Sequence, residues 1–190
     1  MSLPLADCSD GELAALAIGG KQAAFGEIMC RHRNAIYRLA YGHVGDPEAA
    51  LDLVQETFVA AFDALDRYDQ KRPLRTWLAR IAINKCRDWA RRRAVRRLFN
   101  LSSPYGEFTS IADTAPSIED TVAGRQELAL LWKAVAALPR QLREPLILRT
   151  IEGLSQAETA EILKISEKAV ETRLYRARSK LAPLRRHAGE

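Results

Sequence analysis

Between Lys71 and Arg97 the chain places eleven basic side chains against a single acid, Asp88, and sets two tryptophans, Trp77 and Trp89, among them. Trp77, Leu78, Ile81 and Lys85 recur at helical spacing, as do Leu78, Ile81, Ala82 and Trp89. Such spacing puts one apolar stripe on an α-helix whose other faces are basic. Basic side chains can follow phosphates, and the rings can stack on bases or wedge between them. The same pattern also fits a solvated basic helix with core tryptophans. A basic surface for a membrane or a calmodulin-type partner is a third reading. The rest of the chain decides among these.

At 190 residues the chain can form one domain of ordinary size or two small ones. A net charge of +5 points to an anionic partner, and the positive charge is concentrated in two places. Cys8, Cys30 and Cys86 lie far apart and form no CxxC pair, which fits reduced thiols better than disulfides or zinc. Cys30 and His32 are close, but two ligands do not make a metal site. No segment approaches the roughly 20 apolar residues that span a bilayer, and no signal-peptide pattern opens the chain. No membrane insertion and a cytoplasmic location are therefore expected.

Every segment with a periodic pattern reads as helix. Glu12–Ile18 is a short helix ended by Gly19-Gly20, and helix resumes at Gln22 with Phe25, Ile28, Met29, Ile36, Leu39 and Ala40 facing inward as far as Gly42. Asp46-Pro47 offers an N-cap and a first-turn proline. In the helix that follows, Glu48 to about Leu65, the expected buried stripe is Leu51, Val54, Phe58, Ala61, Phe62 and Leu65. Asp52, Gln55, Glu56 and Val59 form a second, largely polar stripe, which by itself needs no explanation beyond solvent exposure. Tyr68–Pro73 connects this helix to the basic one.

Residues 98–124 contain no Lys or Arg and are rich in Asn, Ser, Pro, Gly and Thr. They read as a flexible, weakly acidic linker with a reach of up to roughly 90 Å at ~3.3 Å per residue. The chain thus divides into 1–97, the linker 98–124, and 125–190. In the last part Gln126–Leu138 carries Leu128, Leu131, Trp132 and Val135. A second helix restarts at Pro139, with Leu142, Leu146, Ile147 and Ile151 on its core face and a slight kink expected at Pro145. Ser155 and Glu158 form a capping box, Lys164-Ile165 a turn, and Ser166 caps a last helix that Pro183 should stop. Val170, Leu174, Ala177 and Leu181 face inward, and Lys168, Glu171, Thr172, Arg173, Tyr175, Arg176 and Arg178 face outward. Two short helices around a tight turn describe a helix-turn-helix, against a generic helical hairpin with a basic outside.

Taken in order, these segments resemble the extracytoplasmic-function (group IV) sigma factors of bacterial RNA polymerase, over roughly 23–97 and 125–185. Asp52-Leu-Val-Gln-Glu-Thr-Phe58 resembles the core-polymerase-binding motif of sigma domain 2. Arg75-Thr-Trp-Leu-Ala-Arg-Ile-Ala-Ile-Asn84, with Asp88 and Arg91-Arg92-Arg93, resembles its promoter-melting and −10-reading helices. Leu138-Pro139, Arg143-Glu144, Leu146–Arg149, Glu152-Gly-Leu-Ser155, Glu158-Thr-Ala160 and Val170–Arg178 resemble domain 4, which reads the −35 element.

The resemblance implies an all-α protein of two small helical domains, the domain 2 bundle and the domain 4 helix-turn-helix. It implies docking on core polymerase through Asp52, Leu53, Gln55, Glu56 and Phe58. It implies contact with the melted −10 element through Tyr68, Trp77, Arg80, Asn84, Lys85, Asp88, Arg91 and Arg92. It implies contact with the double-stranded −35 element through Lys168, Glu171, Thr172, Arg173, Arg176 and Arg178. Glu171 stands where many relatives carry a basic residue; it can accept from cytosine N4 or pair with Arg173 or Arg178. An anti-sigma factor is a further expected partner.

The function expected is promoter-specific initiation with assistance to melting, and no catalysis, cofactor or metal. No Gly-rich phosphate loop or catalytic triad with recognisable context is present. Two rival readings are a stand-alone helix-turn-helix repressor and a sigma-mimicking protein that sequesters an anti-sigma factor. The first leaves the Asp52–Phe58 face and the Trp77 helix without a purpose, and the second need not keep the basic aromatic helix.

Overall fold

The computed structural model describes residues 4–100 and 122–187. Helix α1 spans Asp10–Ile18 and opens in a capping box: the Ser9 hydroxyl accepts from the Glu12 N–H, and the Glu12 carboxylate accepts from the Ser9 N–H at 2.7 Å. Helix α2 spans Gln22–Val44 and ends at Gly45, whose left-handed φ of 68° an L-residue rarely adopts. Helix α3, Pro47–Asp63, is capped by the Asp46 carboxylate, which accepts from the N–H groups of Glu48 and Ala49. A 3-10 turn at Leu65–Arg67 leads to α4, Leu74–Asn100. These four helices close around Leu13, Ile28, Leu39, Leu53, Leu78 and Ile83, each with almost no exposed surface.

The second group comprises α5 (Val122–Ala137), α6 (Arg140–Leu146), α7 (Gln156–Leu163) and α8 (Glu167–His187). Ile147, Leu148, Leu154, Val170 and Ala177 form its buried centre. Of the segment 98–124 expected as linker, residues 98–100 belong to α4 and 122–124 to α5, and residues 101–121 lie outside the described residues.

Several local expectations need correction. On α3 the buried side is Ala50, Leu53, Val54, Thr57, Phe58 and Ala61, while Leu51 and Phe62 are 43% and 49% exposed. Leu53 and Thr57, the neighbours in sequence of Val54 and Phe58, take inward positions as well, and Thr57 satisfies its hydroxyl by donating to the Leu53 carbonyl at 2.6 Å. Met29, Leu128 and Leu131 are also exposed. Pro145 does more than kink its helix. The α-helix gives way after Leu146 to a π-helical turn, Ile147–Ile151, closed by the Glu152 N–H on the Ile147 carbonyl at 3.0 Å. Pro183 does not stop α8, which continues to His187. Pro183 is exposed, so the carbonyl it leaves unbonded on the preceding turn is open to water.

The two groups of helices pack directly on each other. Gly42 is buried in α2, and a Cβ there would lie 2.9 Å from both Ile147 Cδ1 and Trp132 Cζ3. Absence of a side chain at this one position lets α5 and the π turn sit against α2. The Tyr41 and Trp132 rings meet beside it, centroids 5.4 Å apart.

Candidate nucleic-acid interface

Helix α3 turns Asp52, Gln55 and the partly exposed Glu56 away from its core face. Leu53 and Phe58, expected beside them as contact residues, are buried at 1% and 2% exposure and support the face from beneath. Glu56 accepts from Arg92 of α4 at 3.1 Å, so the polar face of α3 and the basic side of α4 meet along one edge.

On α4 the apolar stripe is Leu74, Leu78, Ala79, Ala82, Ile83 and Cys86, all buried. Burial pushes the Cys86 thiol up to about 12, so it is inert at neutral pH. Asn84, Arg91 and Arg92 are exposed, and Trp77, Arg80, Lys85 and Asp88 are partly so. Asp88 pairs with Arg91, and the Arg93 guanidinium lies 5.0 Å from the Trp89 ring centre. Tyr68 differs from a free stacking residue. It is 7% exposed, its hydroxyl donates to the Arg72 carbonyl at 2.5 Å, and its ring lies against Trp77 with centroids 5.1 Å apart. The connection 68–73 thereby fixes the orientation of Trp77.

The helix-turn-helix is α7, a turn with Lys164 in the left-handed region (φ 56°), and α8. The capping box at Ser155 and Glu158 forms as expected, and the Ser166 hydroxyl accepts from the Ala169 N–H. Lys168, Glu171, Thr172, Arg176 and Arg178 are exposed along α8, and Arg173 is partly so. Tyr175, 72% exposed, lies on the same outward side.

One constellation has no counterpart in the sequence reading. Four glutamates of the second group meet the basic side of the first. Glu144 on α6 receives both Nε and Nη2 of Arg87, at 2.8 and 2.7 Å, with His43 Nε2 at 3.9 Å. Burial alone would raise the Glu144 pKa, but the paired hydrogen bonds and the charge of Arg87 bring it down to about 2. Glu152 is held by Arg38 at 3.2 Å, while its backbone carbonyl accepts from Arg75 at 2.6 Å. On α7, Glu158 accepts from the Thr76 hydroxyl at 2.7 Å, and Glu161 accepts from both Arg72 and Arg80. The cleft between α4 and α7 is lined by Arg72, Thr76, Trp77, Arg80, Glu158 and Glu161. The packing of Ile147 and Trp132 beside these pairs has one signal in the sequence, a glycine inside a helix at Gly42, which permits close approach. Pairing across more than 50 residues between charged side chains leaves no periodic pattern to read.

Among the described residues there is no group of His, Cys, Asp and Glu that could hold a metal, and the three cysteines are free. No helix among them is long and apolar enough to cross a membrane.

Residues 28–96 match the family model for Sigma-70 region 2, and residues 128–181 that for Sigma-70 region 4. The chain is 43% identical to the RNA polymerase sigma factor CnrH of Cupriavidus metallidurans over 180 residues, covering 93% of this chain and 94% of that protein. It is 40% identical to the RNA polymerase sigma factor NccH of Alcaligenes xylosoxydans xylosoxydans, covering 92% and 94% of the two. Among solved structures, CnrH in complex with the cytosolic domain of CnrY superposes with a TM-score of 0.69 at 38% identity, over 92% of this chain and 96% of that one. Sigma factor RpoE in complex with the anti-sigma factor NepR from Bartonella quintana gives 0.70 at 25% identity, over 85% and 96%. Two region models in the right order, nearly full-length coverage and the helix-turn-helix described above agree: the chain belongs to the extracytoplasmic-function, or group IV, sigma factors, non-catalytic initiation factors of bacterial RNA polymerase.

Proposed function

We propose that this sigma factor divides its work among three surfaces. Asp52, Gln55 and Glu56 on α3 dock on core polymerase, with Leu53 and Phe58 holding them in place. Trp77, Arg80, Asn84, Lys85, Arg91 and Arg92 receive the melted −10 strand, and Tyr68 braces Trp77. Lys168, Glu171, Thr172, Arg173, Arg176 and Arg178 meet the −35 duplex in the major groove. The observation that carries this reading is the exposed acid–amide face of α3 lying edge to edge with the basic side of α4 through Arg92 and Glu56. One chain can thus hold polymerase and the adjacent nucleic acid together. Unstacking a base costs a few kcal/mol, which stacking and polar contacts to its edge offset.

An anti-sigma factor is a fitting second partner, because two relatives of matching fold were solved in complexes, one with the cytosolic domain of CnrY and one with the anti-sigma factor NepR. A cytoplasmic setting suits both partners. Run-off transcription with purified core polymerase on a genomic promoter library tests the reading. Discrete start sites that require this chain are expected; if core polymerase initiates identically with and without it, the reading fails.

A further inference from the structure

We propose that Tyr175 and Thr172 form an apolar reader on α8 that selects a thymine of the −35 element through its C5-methyl group. This rests on the reading of α8 as the −35 helix, adds Tyr175 to that surface, and names the base its centre prefers.

Val170, Leu174 and Ala177 are the buried side of α8. At about 100° per residue, Lys168, Thr172 and Tyr175 come out within roughly 50° of the opposite direction, with Arg176 and Arg178 on the two flanks. All five are exposed. Tyr175 makes no ring contact and no side-chain hydrogen bond with any described residue. The Thr172 hydroxyl donates to the Lys168 carbonyl at 2.9 Å. Its proton is thus committed to the helix backbone, and the γ-methyl remains to meet a base edge. Residues three apart on a helix have Cβ atoms ~5–6 Å apart, so the methyl and the ring make one patch. The helix beneath them is fixed at its start. The Ser166 hydroxyl accepts from the Ala169 N–H at 3.2 Å, and Gln156 of α7 donates to the Glu167 carbonyl at 3.1 Å.

A single exposed aromatic needs no explanation. Here the surrounding chemistry narrows what it can read. In the major groove guanine is met by arginine or lysine, adenine by asparagine or glutamine, and the thymine methyl by apolar groups such as a threonine methyl or an aromatic ring. From Glu167 to His187 the helix contains no Asn or Gln, and its arginines near this patch lie on the flanks. A thymine methyl is the base feature that fits the centre of the face. The rival role for Tyr175 is a hydroxyl bonded to a phosphate oxygen, which carries no sequence preference.

Uracil, which is thymine without the C5-methyl, separates the two. The probe is a labelled duplex carrying the strongest promoter from the run-off library, bound by core polymerase reconstituted with the full chain. Each thymine of its −35 element, on either strand, is replaced in turn by uracil. The wild type should lose ~3–5-fold in affinity at one thymine, the worth of one buried methyl. Tyr175→Ala should bind more weakly and treat thymine and uracil there alike. Tyr175→Phe should keep the wild-type discrimination, and Thr172→Ser, which retains the hydroxyl without the methyl, should narrow it. Both residues are exposed, so these changes leave the packing of α8 intact.

A −35 element without an A·T pair overturns the reader, as does discrimination that survives Tyr175→Ala or is unaltered in Thr172→Ser. Tyr175→Phe behaving like Tyr175→Ala assigns the hydroxyl to phosphate and overturns it too. A duplex with the whole −35 element scrambled keeps the two levels apart. If scrambling leaves affinity unchanged, α8 is not the −35 helix and the wider reading fails with the reader. If scrambling weakens binding while no uracil matters, the thymine reader alone fails.

Discussion

Arg87 of α4 grips both carboxylate oxygens of Glu144 on α6, at 2.8 and 2.7 Å, joining two helices 57 residues apart in sequence. The two ends of this pair are unequal. The Glu144 side chain is 6% exposed, that of Arg87 27%. Truncation at Arg87 strands a buried carboxylate, whereas Glu144→Gln leaves a guanidinium that can still reach water. Breaking a buried pair from the side that strands the charge costs ~3–5 kcal/mol. Losing charge while keeping a hydrogen bond costs ~1–2 kcal/mol. Arg87→Ala should therefore lower the thermal midpoint of the full chain more than Glu144→Gln does. The opposite order would mean that the pair is not closed in solution.

For polymerase docking, the expected outcome concerns Asp52 and Glu56. Both face away from the α3 core, and Glu56 pairs with Arg92. Asp52→Lys with Glu56→Lys should abolish co-purification with core polymerase while circular dichroism stays unchanged, because exposed substitutions of this kind shift stability by about 0.5 kcal/mol or less. Retained co-purification would remove α3 from the docking surface.

How much of this was legible beforehand depended on range. Caps and turns are local: Ser9 with Glu12, Asp46 with Pro47, and Ser155 with Glu158 all form where short-range chemistry puts them. The inward side of a helix is less secure. On α3 both Leu51 and Leu53 are apolar, and only the neighbouring helices decide that Leu53 goes in. The continuation of α8 past Pro183 was missed because the lost hydrogen bond falls where water can replace it. The interregional glutamates were invisible, since Glu144, Glu152, Glu158 and Glu161 look like any other charges on helical segments. Motif resemblance led to α4 and α8 as contact surfaces. It gave no hint that Glu161 would already occupy Arg72 and Arg80.

On α8, Arg173 is partly buried and Arg176 is exposed. A guanidinium on a partly buried side chain suits bidentate reading of guanine, worth ~1–3 kcal/mol, and one on an exposed side chain suits phosphate. Arg173→Ala should relax preference at one −35 position, and Arg176→Ala should weaken all −35 variants alike and flatten the salt dependence. Binding of region 4 variants to a set of singly substituted −35 duplexes decides it. Uniform weakening by Arg173→Ala would reverse the assignment.

Tyr68 and Asn84 separate by burial. Tyr68 is enclosed, donates to Arg72 and supports Trp77, whereas Asn84 is exposed on α4. Tyr68→Phe should cost ~0.5–1.5 kcal/mol of stability for its hydrogen bond. Asn84→Ala should leave stability nearly unchanged and lose preference at one −10 position on pre-melted promoter, since an amide offers donors and an acceptor to a base edge. A lowered melting temperature for Asn84→Ala with base preference intact would make Asn84 a structural residue.

The last expectation concerns acid. His43 is buried on α2, with Nδ1 3.1 Å from the Leu39 carbonyl and Nε2 3.9 Å from Glu144. Burial pushes its pKa below the ordinary 6.5, outweighing the nearby Glu144 carboxylate that acts to raise it. The closed chain therefore keeps a neutral ring whose Nδ1–H donates to Leu39, and the opened or unfolded chain takes up a proton near pH 6.5. Protons favour the form that binds them. The His43 contribution is full above about 6.5 and lost as pH falls below it, at up to ~1.4 kcal/mol per pH unit. Glu144 acts in the same sense further down, its contribution present above 4.5 and lost toward 2. Glu152, raised by burial over the opposing charge of Arg38, acts the other way from 4.5 upward. Between pH 7.5 and 5.5 the thermal midpoint should fall in the wild type, and the fall should be smaller in His43→Gln, whose amide can still donate to Leu39 but cannot titrate. Equal slopes for the two proteins would show that His43 is solvated, and so protonated alike in both states.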